Sequence, residues 1–480
     1  VFVSTLTFVV VFFPVVFLTG MASYLFSPLA IAVPFAVATS YLVAMTFIPA
    51  AAAKLMPAGA EVKADTEGGL AHAYRGIAGR CYRLRWPVVI GAAGLLALAL
   101  NAFQGLGTEL FPRTDSGQFT ILVRAPAGTR LEKTEELVAE VEAEIEAIVG
   151  DADPGNADPS SDLALVISNI GVLYDWPAAY TFNNGPMDAF VLCQLKDEHA
   201  RSSQEWASDL REHLNAQFPG IEFAFDTGGM LTAALNEGLP APIDVQVQGS
   251  SLEVSHEIAR ALVAEISQVD GVYDVRIEQP LEYPAVKIEV DRVKAAQLGL
   301  TQEEVVKNVV TALNSSVSFK PSFWIDPNNG NHYFIGSQYP TDEIVSFETL
   351  ENIPITGKGT DSSVLLKNIA RLERTSSPAV VKHVNITRTV DVFANVEDRD
   401  LGGAVQEIEE RLAASPALTA LMDEYGGRGY RYEVKGEIQT MRESFGQFQT
   451  GLMIAARASQ PPASSSFARY RLKIGMKVIV

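Results

Sequence analysis

The first 53 residues of the chain contain no Asp, Glu, Lys, Arg or His, and the first charge is Lys54. An apolar run of this length is typical of membrane-spanning helices, since a charge at the bilayer centre costs about 3 kcal/mol. Turn-forming stretches at residues 19–23 and 27–28 divide the run. The pattern therefore predicts two transmembrane helices within residues 1–56. A further apolar stretch predicts a third over residues 87–105.

A basic, amphipathic link over residues 57–86 joins the second and third predicted spans. Six basic and three acidic residues lie between the spans, from Lys54 to Arg85. Short loops with an excess of Lys and Arg stay in the cytoplasm. The link is therefore predicted to be cytoplasmic, and the residues after the third span to lie on the opposite, extracytoplasmic side.

Beyond the third span, strand and helix periodicities alternate. Strands are predicted over residues 118–124, 163–170, 188–195 and 221–226, and helices over 131–149 and 203–218. This is the β-α-β-β-α-β order of the split βαβ, or ferredoxin-like, motif. The order recurs in strands at 243–248, 272–277, 389–396 and 430–434 and in helices at 252–269 and around Val405. The fold class is thus membrane α-helical plus α+β, with two ferredoxin-like subdomains in tandem.

The repeat also sets the predicted domain boundaries. The first subdomain spans residues 106–240, and the second comprises 241–281 and 382–437. Residues 282–381 form a small α+β insertion in the second, with a strand over 284–291 and helices over 293–298 and 301–313. Thr301 and Glu304 have the spacing of a capping box at a helix start.

Charge and cysteine content narrow the class of protein. The formal net charge is −20, and most of the negative charge falls after the third span, which excludes nucleic acid as a partner. The two cysteines, Cys81 and Cys193, lie on opposite sides of the predicted membrane and are not expected to form a disulfide. Cys193 lies in a strand pattern and is expected to be a core residue.

Several local motifs resemble those of one transporter family. They are residues 13–17 (FPVVF) with Gly20, 24–30 (YLFSPLA), 109–112 (ELFP) and 286–291 (VKIEVD). Together with the order of spans and tandem units, they resemble the resistance–nodulation–division (RND) efflux transporters. The likeness is greatest to the inner-membrane pump subunit of the hydrophobe/amphiphile branch, from about its fifth to the start of its eighth transmembrane helix.

The resemblance implies a secondary active transporter, not an enzyme, that exports amphiphilic or hydrophobic compounds by proton antiport. It implies a homotrimer in the bacterial inner membrane that assembles with a periplasmic adaptor and an outer-membrane channel. The tandem subdomains would be porter subdomains and the insertion a docking subdomain. A heavy-metal cation exporter of the same superfamily, and a translocation or secretion helper of related architecture, are the alternatives.

Two features depart from the family pattern. The predicted spans hold no ionisable residue, so this chain is expected to supply no proton-relay residue. Residues 438–456 resemble the start of a further transmembrane helix, but Arg457 and Pro461 end the apolar run. The basic tail at 457–480 is interpreted as out-of-frame or foreign sequence. The alternative is a natural cytoplasmic end after a short re-entrant segment.

The candidate substrate-binding residues lie in one loop after the first unit's second strand. Four aromatic residues fall within residues 171–186, which are bounded by Gly, Pro and Asn: Tyr174, Trp176, Tyr180 and Phe182. By its position the loop resembles the family's flexible switch loop. Aromatic rings with little formal charge suit apolar or cationic substrates. The alternative is that some of these rings only pin the loop to the core.

Other chemistries find less support in the residues. Metal export needs soft or imidazole ligands within reach of each other, and no close His, Cys or Met pair occurs in the soluble block. His332 and His383 are isolated. Hydrolase, phosphate-loop and metalloprotease motifs are absent from the sequence. We therefore expect no catalytic residue, no metal ligand and no cofactor.

Overall fold

The computed structural model describes residues 20–55, 69–104, 107–109, 114–152, 161–171, 183–228, 238–340, 343–358 and 362–459, together with residues 5, 9, 12 and 15. Most of the predicted first span, the aromatic loop with Tyr174, Trp176, Tyr180 and Phe182, and the tail from residue 460 lie outside the described residues.

Helix α1 (Gly20–Leu55) is the one described helix long and apolar enough on its own to cross a membrane, over Phe26–Leu55. It continues through Ser27 and Pro28, so the predicted turn at these residues is wrong. In an apolar solvent a turn would leave backbone groups without partners, which favours a continuous helix even with a proline inside it. Helices α2 (Gly69–Arg83) and α3 (Arg85–Gln104) form a bent pair at 86° that meets the same criterion only when taken together.

The first sheet unit, residues 118–226, has the strand order β2-β3-β1-β4, all antiparallel. Alternate residues of the strands pack against the two helices, and the core includes Ile121, Ile145, Val191 and Leu214. Cys193 belongs to this core, and burial raises the pKa of its thiol to about 12, so the prediction for Cys193 is confirmed. The elements are β1 (Gln118–Arg124), α4 (Leu131–Val149), β2 (Leu163–Ile170), β3 (Asp188–Leu195), α5 (Ser203–Gln217) and β4 (Glu222–Asp226).

The second sheet unit, residues 243–277 and 382–436, repeats this arrangement. Its strand order is β6-β14-β5-β15. The short β13 pairs with the first residues of β14, on the same edge of β14 as β6. One face packs against helices through Val245, Ile258, Val392 and Ile408. The elements are β5 (Ile243–Gly249), α6 (Leu252–Ile266), β6 (Val272–Ile277), β13 (Lys382–Val384), β14 (Thr387–Val396), α10 (Leu401–Ala414), α11 (Pro416–Tyr425) and β15 (Arg431–Gly436).

The insertion, residues 283–377, has its own small core around Val305, Ile355 and Leu366. Thr301 and Glu304 form the predicted capping box, because each side chain bonds the other residue's backbone N–H. The elements are β7 (Tyr283–Val290), α7 (Arg292–Gln297), α8 (Gln302–Asn314), β8 (Phe323–Ile325), β9 (His332–Phe334), α9 (Phe347–Glu351), β10 (Pro354–Ile355), β11 (Val364–Leu365) and β12 (Ala370–Ser377).

Helix α10 connects the second unit to two other segments, the one that precedes the first unit and the helix that follows the second unit. On the side of α3, the Thr108 N–H donates to Asp400 Oδ2 (2.9 Å) and the Gly402 N–H to the Thr108 carbonyl (3.0 Å). On the other side, Arg442 makes two 2.7 Å bonds to Glu409 from helix α12 (Glu437–Ser459). Helix α12 extends three residues past the predicted end at Ala456. It is not among the described helices that meet the criterion for a membrane span.

Candidate functional site between the two sheet units

The first and second units meet along β6, and one part of this contact is a buried ion-pair cluster around Arg211 of α5. We call it the Arg211 cluster. The guanidinium donates to both oxygens of Asp274 (2.8 and 3.1 Å) and to Glu397 (2.7 Å), and it lies over the ring of Phe225. Asn395 Nδ2 donates to Asp274 Oδ2 (2.9 Å) and to the Phe225 carbonyl (2.7 Å). Each of these charges therefore has a partner, and four elements are joined at one point.

A second polar contact, the Arg124 cluster, lies at the end of the same strand. Arg124 binds both oxygens of Asp188 (2.9 and 3.3 Å) and donates to the Ile277 carbonyl of the second unit (3.1 Å). Asn184 Nδ2 crosses between the units to Glu278 Oε1 (2.9 Å). Burial raises the pKa of Glu278, although Arg124 and Arg276 oppose the shift.

Arg276 of β6 is less well paired than the other arginines at this contact. Its Nε lies 3.9 Å from Glu278, and its Nη2 is buried without a hydrogen-bond partner within the described part of the chain. Burial lowers the pKa of its guanidinium, and Arg124 adds to the effect. The contact between the units therefore includes one buried guanidinium N–H group, that of Arg276 Nη2, without a hydrogen-bond acceptor among the described residues.

A cavity of ≈ 320 Å³ opens next to the Arg124 cluster, between the two units. Met187 and Glu222 line it from the first unit, and His256 of α6 from the second. His256 Nδ1 is buried and lacks a hydrogen-bond partner among the described residues. Burial, reinforced by Arg260, lowers the pKa of His256 below its usual value of 6.5, so the imidazole is neutral at pH 7.

These side chains give the cavity wall a definite donor chemistry. The imidazole of His256 is partly exposed and the carboxylate of Glu222 is exposed, whereas Met187 is only 1% exposed. Imidazole and carboxylate are ligand types that borderline metal ions accept. Among the described residues, no group of three or more His, Cys, Asp or Glu side chains forms a closed metal site.

Sequence reasoning missed this site. Met187 and His256 lie 69 positions apart and belong to different units. Because the two residues are distant in sequence, neither stands out by spacing as part of a ligand pair. The predicted aromatic loop lies outside the described residues, so its four rings remain a prediction.

The fold combines one helix long and apolar enough to cross a membrane with paired sheet units and an insertion, the arrangement expected of a membrane protein with a large aqueous region. The chain belongs to the AcrB/AcrD/AcrF family, whose model matches residues 1–457. Members of this family are inner-membrane efflux transporters and not enzymes.

Comparison with individual proteins refines this assignment. The chain is 25% identical to protein HelA of Legionella pneumophila over 447 residues, covering 92% of this chain and 40% of HelA. It is 25% identical to the cobalt-zinc-cadmium resistance protein CzcA of Cupriavidus metallidurans over 434 residues, covering 86% of this chain and 38% of CzcA. It is 24% identical to the cation efflux system protein CusA of Escherichia coli over 438 residues, with 87% and 38% covered.

A crystal structure of a heavy metal efflux pump has the same fold, with a TM-score of 0.73 and 19% identity over 95% of this chain and 44% of that one. The chain thus spans about two fifths of the length of the relatives it matches. The RND resemblance is confirmed. The assignment to the hydrophobe/amphiphile branch is not supported, because CzcA, CusA and the solved structure are named as metal-resistance, cation-efflux and heavy-metal efflux proteins. The motifs behind that assignment describe membrane spans and unit boundaries and carry no information about substrate.

Proposed function

We propose that this chain is part of an RND transporter that exports heavy-metal cations, the alternative considered beside amphiphile export. The observation that carries the proposal is the cavity between the units, where the partly exposed, neutral imidazole of His256 lies in a wall shared with the exposed carboxylate of Glu222. The printed names of CzcA and CusA, which concern metal-ion resistance and cation efflux, support the same choice.

Charge in the cavity wall is compatible with a cation. Arg124, Arg276 and Glu222 line the cavity, and Asp188 and Glu278, which lie outside its lining, pair with the two arginines. Since Asp188 holds Arg124 in a bidentate pair, the positive groups are largely neutralised within the wall. Glu222, which is exposed, is left as the net charge that attracts a cation.

In the complete transporter the two sheet units would be porter subdomains (106–240, and 241–281 with 382–437) and the insertion (282–381) a docking subdomain. We propose a homotrimer in the bacterial inner membrane, with its aqueous region in the periplasm. It would be driven by proton antiport and coupled to a periplasmic adaptor and an outer-membrane channel. Export of amphiphilic compounds through the loop of Tyr174, Trp176, Tyr180 and Phe182 is the competing function.

Calorimetric titration of the detergent-solubilised chain with Zn²⁺ tests the choice of substrate. We expect His256→Ala to weaken Zn²⁺ binding by about tenfold, equivalent to about 1.4 kcal/mol. The matched control, His332→Ala on the exposed strand β9, should bind as the parent does. Because protonation removes the imidazole lone pair, binding should fall only as the pH drops through the depressed pKa of His256, below 6.5.

Two results would contradict metal export. One is Zn²⁺ binding that His256→Ala and His332→Ala leave equally unchanged. The other is binding of an amphiphilic cationic dye that Trp176→Ala and Phe182→Ala abolish, while Zn²⁺ does not bind at all.

A further inference from the structure

The second unit has a polar sheet face on the side opposite its helices. Strand β5 is buried along its whole length, and Asp244 and Gln246 alternate with the core residues Val245 and Val247. The register places Asp391 of β14 directly opposite Gln246. Asp244 and Asp391 are both 0% exposed. Two carboxyl groups and an amide therefore share one dry patch of sheet.

In each of the two carboxyl groups and in the amide, one of the two terminal atoms is hydrogen-bonded. Gln246 Nε2 donates to Asp244 Oδ2 (2.7 Å). Gln279 Nε2 (2.7 Å) and Lys382 Nζ (2.6 Å) both donate to Asp391 Oδ2. The opposite oxygen of each group, namely Asp244 Oδ1, Asp391 Oδ1 and Gln246 Oε1, is buried without a hydrogen-bond partner in the part of the chain that the structure describes.

Three buried acceptors without a donor are costly, since each loses its hydration without compensation. Something electropositive must complete the patch, and the candidates are a proton, a water molecule or a metal cation. In the register of β15 and β5, Lys435 lies opposite Asp244, and Glu433 lies opposite Gln246. Arg276 follows beyond Phe393. Lys382 pairs with Asp391 (2.6 Å) and Lys435 with Glu433 (3.5 Å), which leaves the negative charge of Asp244 unbalanced. One proton neutralises that charge, whereas a divalent ion would leave an excess positive charge.

We propose that Asp244 is a proton-binding site, held as the carboxylic acid in the folded chain, with its O–H donated to one of the other orphaned oxygens on this face, directly or through a water molecule. A single proton removes one of two neighbouring buried negative charges and supplies the missing donor. Two carboxyl groups that share a site do not both ionise readily.

The electrostatics of the site agree with this assignment. Burial, with the nearby charge of Asp391, raises the pKa of Asp244 to about 7, although Gln246, Lys382 and Lys435 act in the opposite direction. In an unfolded chain the same carboxyl group titrates near 3.8. Between these two values the folded state binds more protons than the unfolded state. Stability must therefore fall as the pH rises from about 4 to about 7, and then level off.

The proposal predicts that the second unit is sensitive to the pH of the aqueous compartment in which it lies. At mildly acidic pH the patch is neutralised and the sheet is at its most stable. Above pH 7 the patch carries two adjacent negative charges and loosens. The patch adjoins the cavity, because Gln279 lines the cavity and also donates to Asp391 in the patch.

Thermal unfolding of the full chain in detergent, measured from pH 5 to pH 8.5, tests the proposal. Asp244→Asn mimics the neutral acid, because its amide N–H₂ supplies the missing donor. We expect the Tm difference between Asp244→Asn and the parent to be near zero at pH 5 and to grow, in favour of the variant, to on the order of 5 °C at pH 8.5. The matched control, Asp423→Asn on the exposed surface of α11, should show no such trend.

Infrared difference spectroscopy provides a second readout that does not depend on stability. The parent at pH 6 should show the C=O band of a buried carboxylic acid, and Asp244→Asn should lack it. Asp391→Asn should retain the band, with its midpoint moved to lower pH. A parent spectrum without the band would overturn the proposal. So would a pH-independent Tm difference, or a Mg²⁺- or Zn²⁺-dependent rise in Tm that Asp244→Asn removes.

Discussion

The Arg211 and Arg124 clusters lie along the same strand and use the same kinds of side chain, yet they differ in completeness. At Arg211, one guanidinium, two carboxylates, an amide and a backbone N–H satisfy one another. At Arg124, the neighbouring Arg276 keeps an unpaired Nη2, and a cavity separates the units. The contact is therefore closed at one position and incomplete a few residues further along.

The backbone reflects the same difference. Asp274 has a left-handed φ of 54°, which is unusual for a residue other than glycine and costs on the order of 1 kcal/mol. In this conformation the Asp274 carboxylate accepts hydrogen bonds from Arg211, Asn395 and the Phe225 N–H. A strained residue with this many partners indicates a fixed joint, whereas the cavity next to Arg124 leaves part of the contact between the units unfilled.

The largest expected effect comes from breaking the fixed joint. Arg211→Ala leaves Asp274 and Glu397 buried without their cation, so the free energy of unfolding should fall by about 3–5 kcal/mol. Denaturant unfolding followed by circular dichroism measures it. Arg201→Ala, which removes an exposed arginine paired with Asp209, is the matched control and should cost less than about 1 kcal/mol. Equal losses for the two variants would mean that the Arg211 cluster does not hold the units together.

A smaller effect is expected at the cavity. Asn184→Ala removes the side-chain bonds to Glu278 Oε1 and to the Glu278 carbonyl (2.9 and 3.2 Å). Because Arg124 and Arg276 still face Glu278, the cost should be only about 1–2 kcal/mol. The same unfolding assay gives the value, and Asn215→Ala, which breaks a bond within α5, serves as control. A loss as large as that of Arg211→Ala would remove the distinction between the two clusters.

Local periodicity explains why the elements of the aqueous region were predictable. The predicted bounds of β1 and α4 match the structure, because apolar residues at steps of two and of three or four reflect one buried face. The helix α11 was missed, although Ser415 followed by Pro416 is a typical helix start. The predicted break at Pro28 failed because turn propensities measured in water do not hold for a helix in an apolar solvent.

The contacts between the two sheet units could not be predicted from such patterns. Arg211 meets Asp274 across 63 positions, and Asn395 reaches Phe225 across 170. Which residues meet depends on how one sheet unit packs on another, and no periodicity encodes that. The orphaned oxygens of Asp244 and Asp391 likewise follow from strand register, since an alternating pattern alone would place either residue on a solvated face.

The smallest expected effect lies outside both clusters, in the segment that leads from α3 into the first unit. His199 Nε2 lies 2.7 Å from Asp115 Oδ2, and Ser203 Oγ donates to Asp115 Oδ1 (2.8 Å). Burial opposes ionisation of Asp115, but the bonds from His199, Gly117 and Ser203 hold its pKa down to about 2. The bond to Asp115, with a further one to the Lys196 carbonyl, raises the pKa of His199 above 6.5.

A raised histidine pKa stabilises the fold fully below pH 6.5, and the contribution is lost as the pH rises through the folded-state pKa. His199→Gln should therefore lower the free energy of unfolding by up to about 1 kcal/mol at pH 5.5. At pH 8.5 the histidine of the parent is no longer ionised, so the substitution should remove almost no ionic contribution. Unfolding curves at the two pH values measure the difference, with His332→Gln as the control for loss of an exposed histidine. Because the bonds that Asp115 and His199 make to each other, to Ser203 and to the Lys196 carbonyl stay within the first unit and the segment leading into it, His199→Gln should not change the effect of Arg211→Ala in a double variant. A coupling above about 0.5 kcal/mol would show instead that the entry segment and the Arg211 cluster form one network.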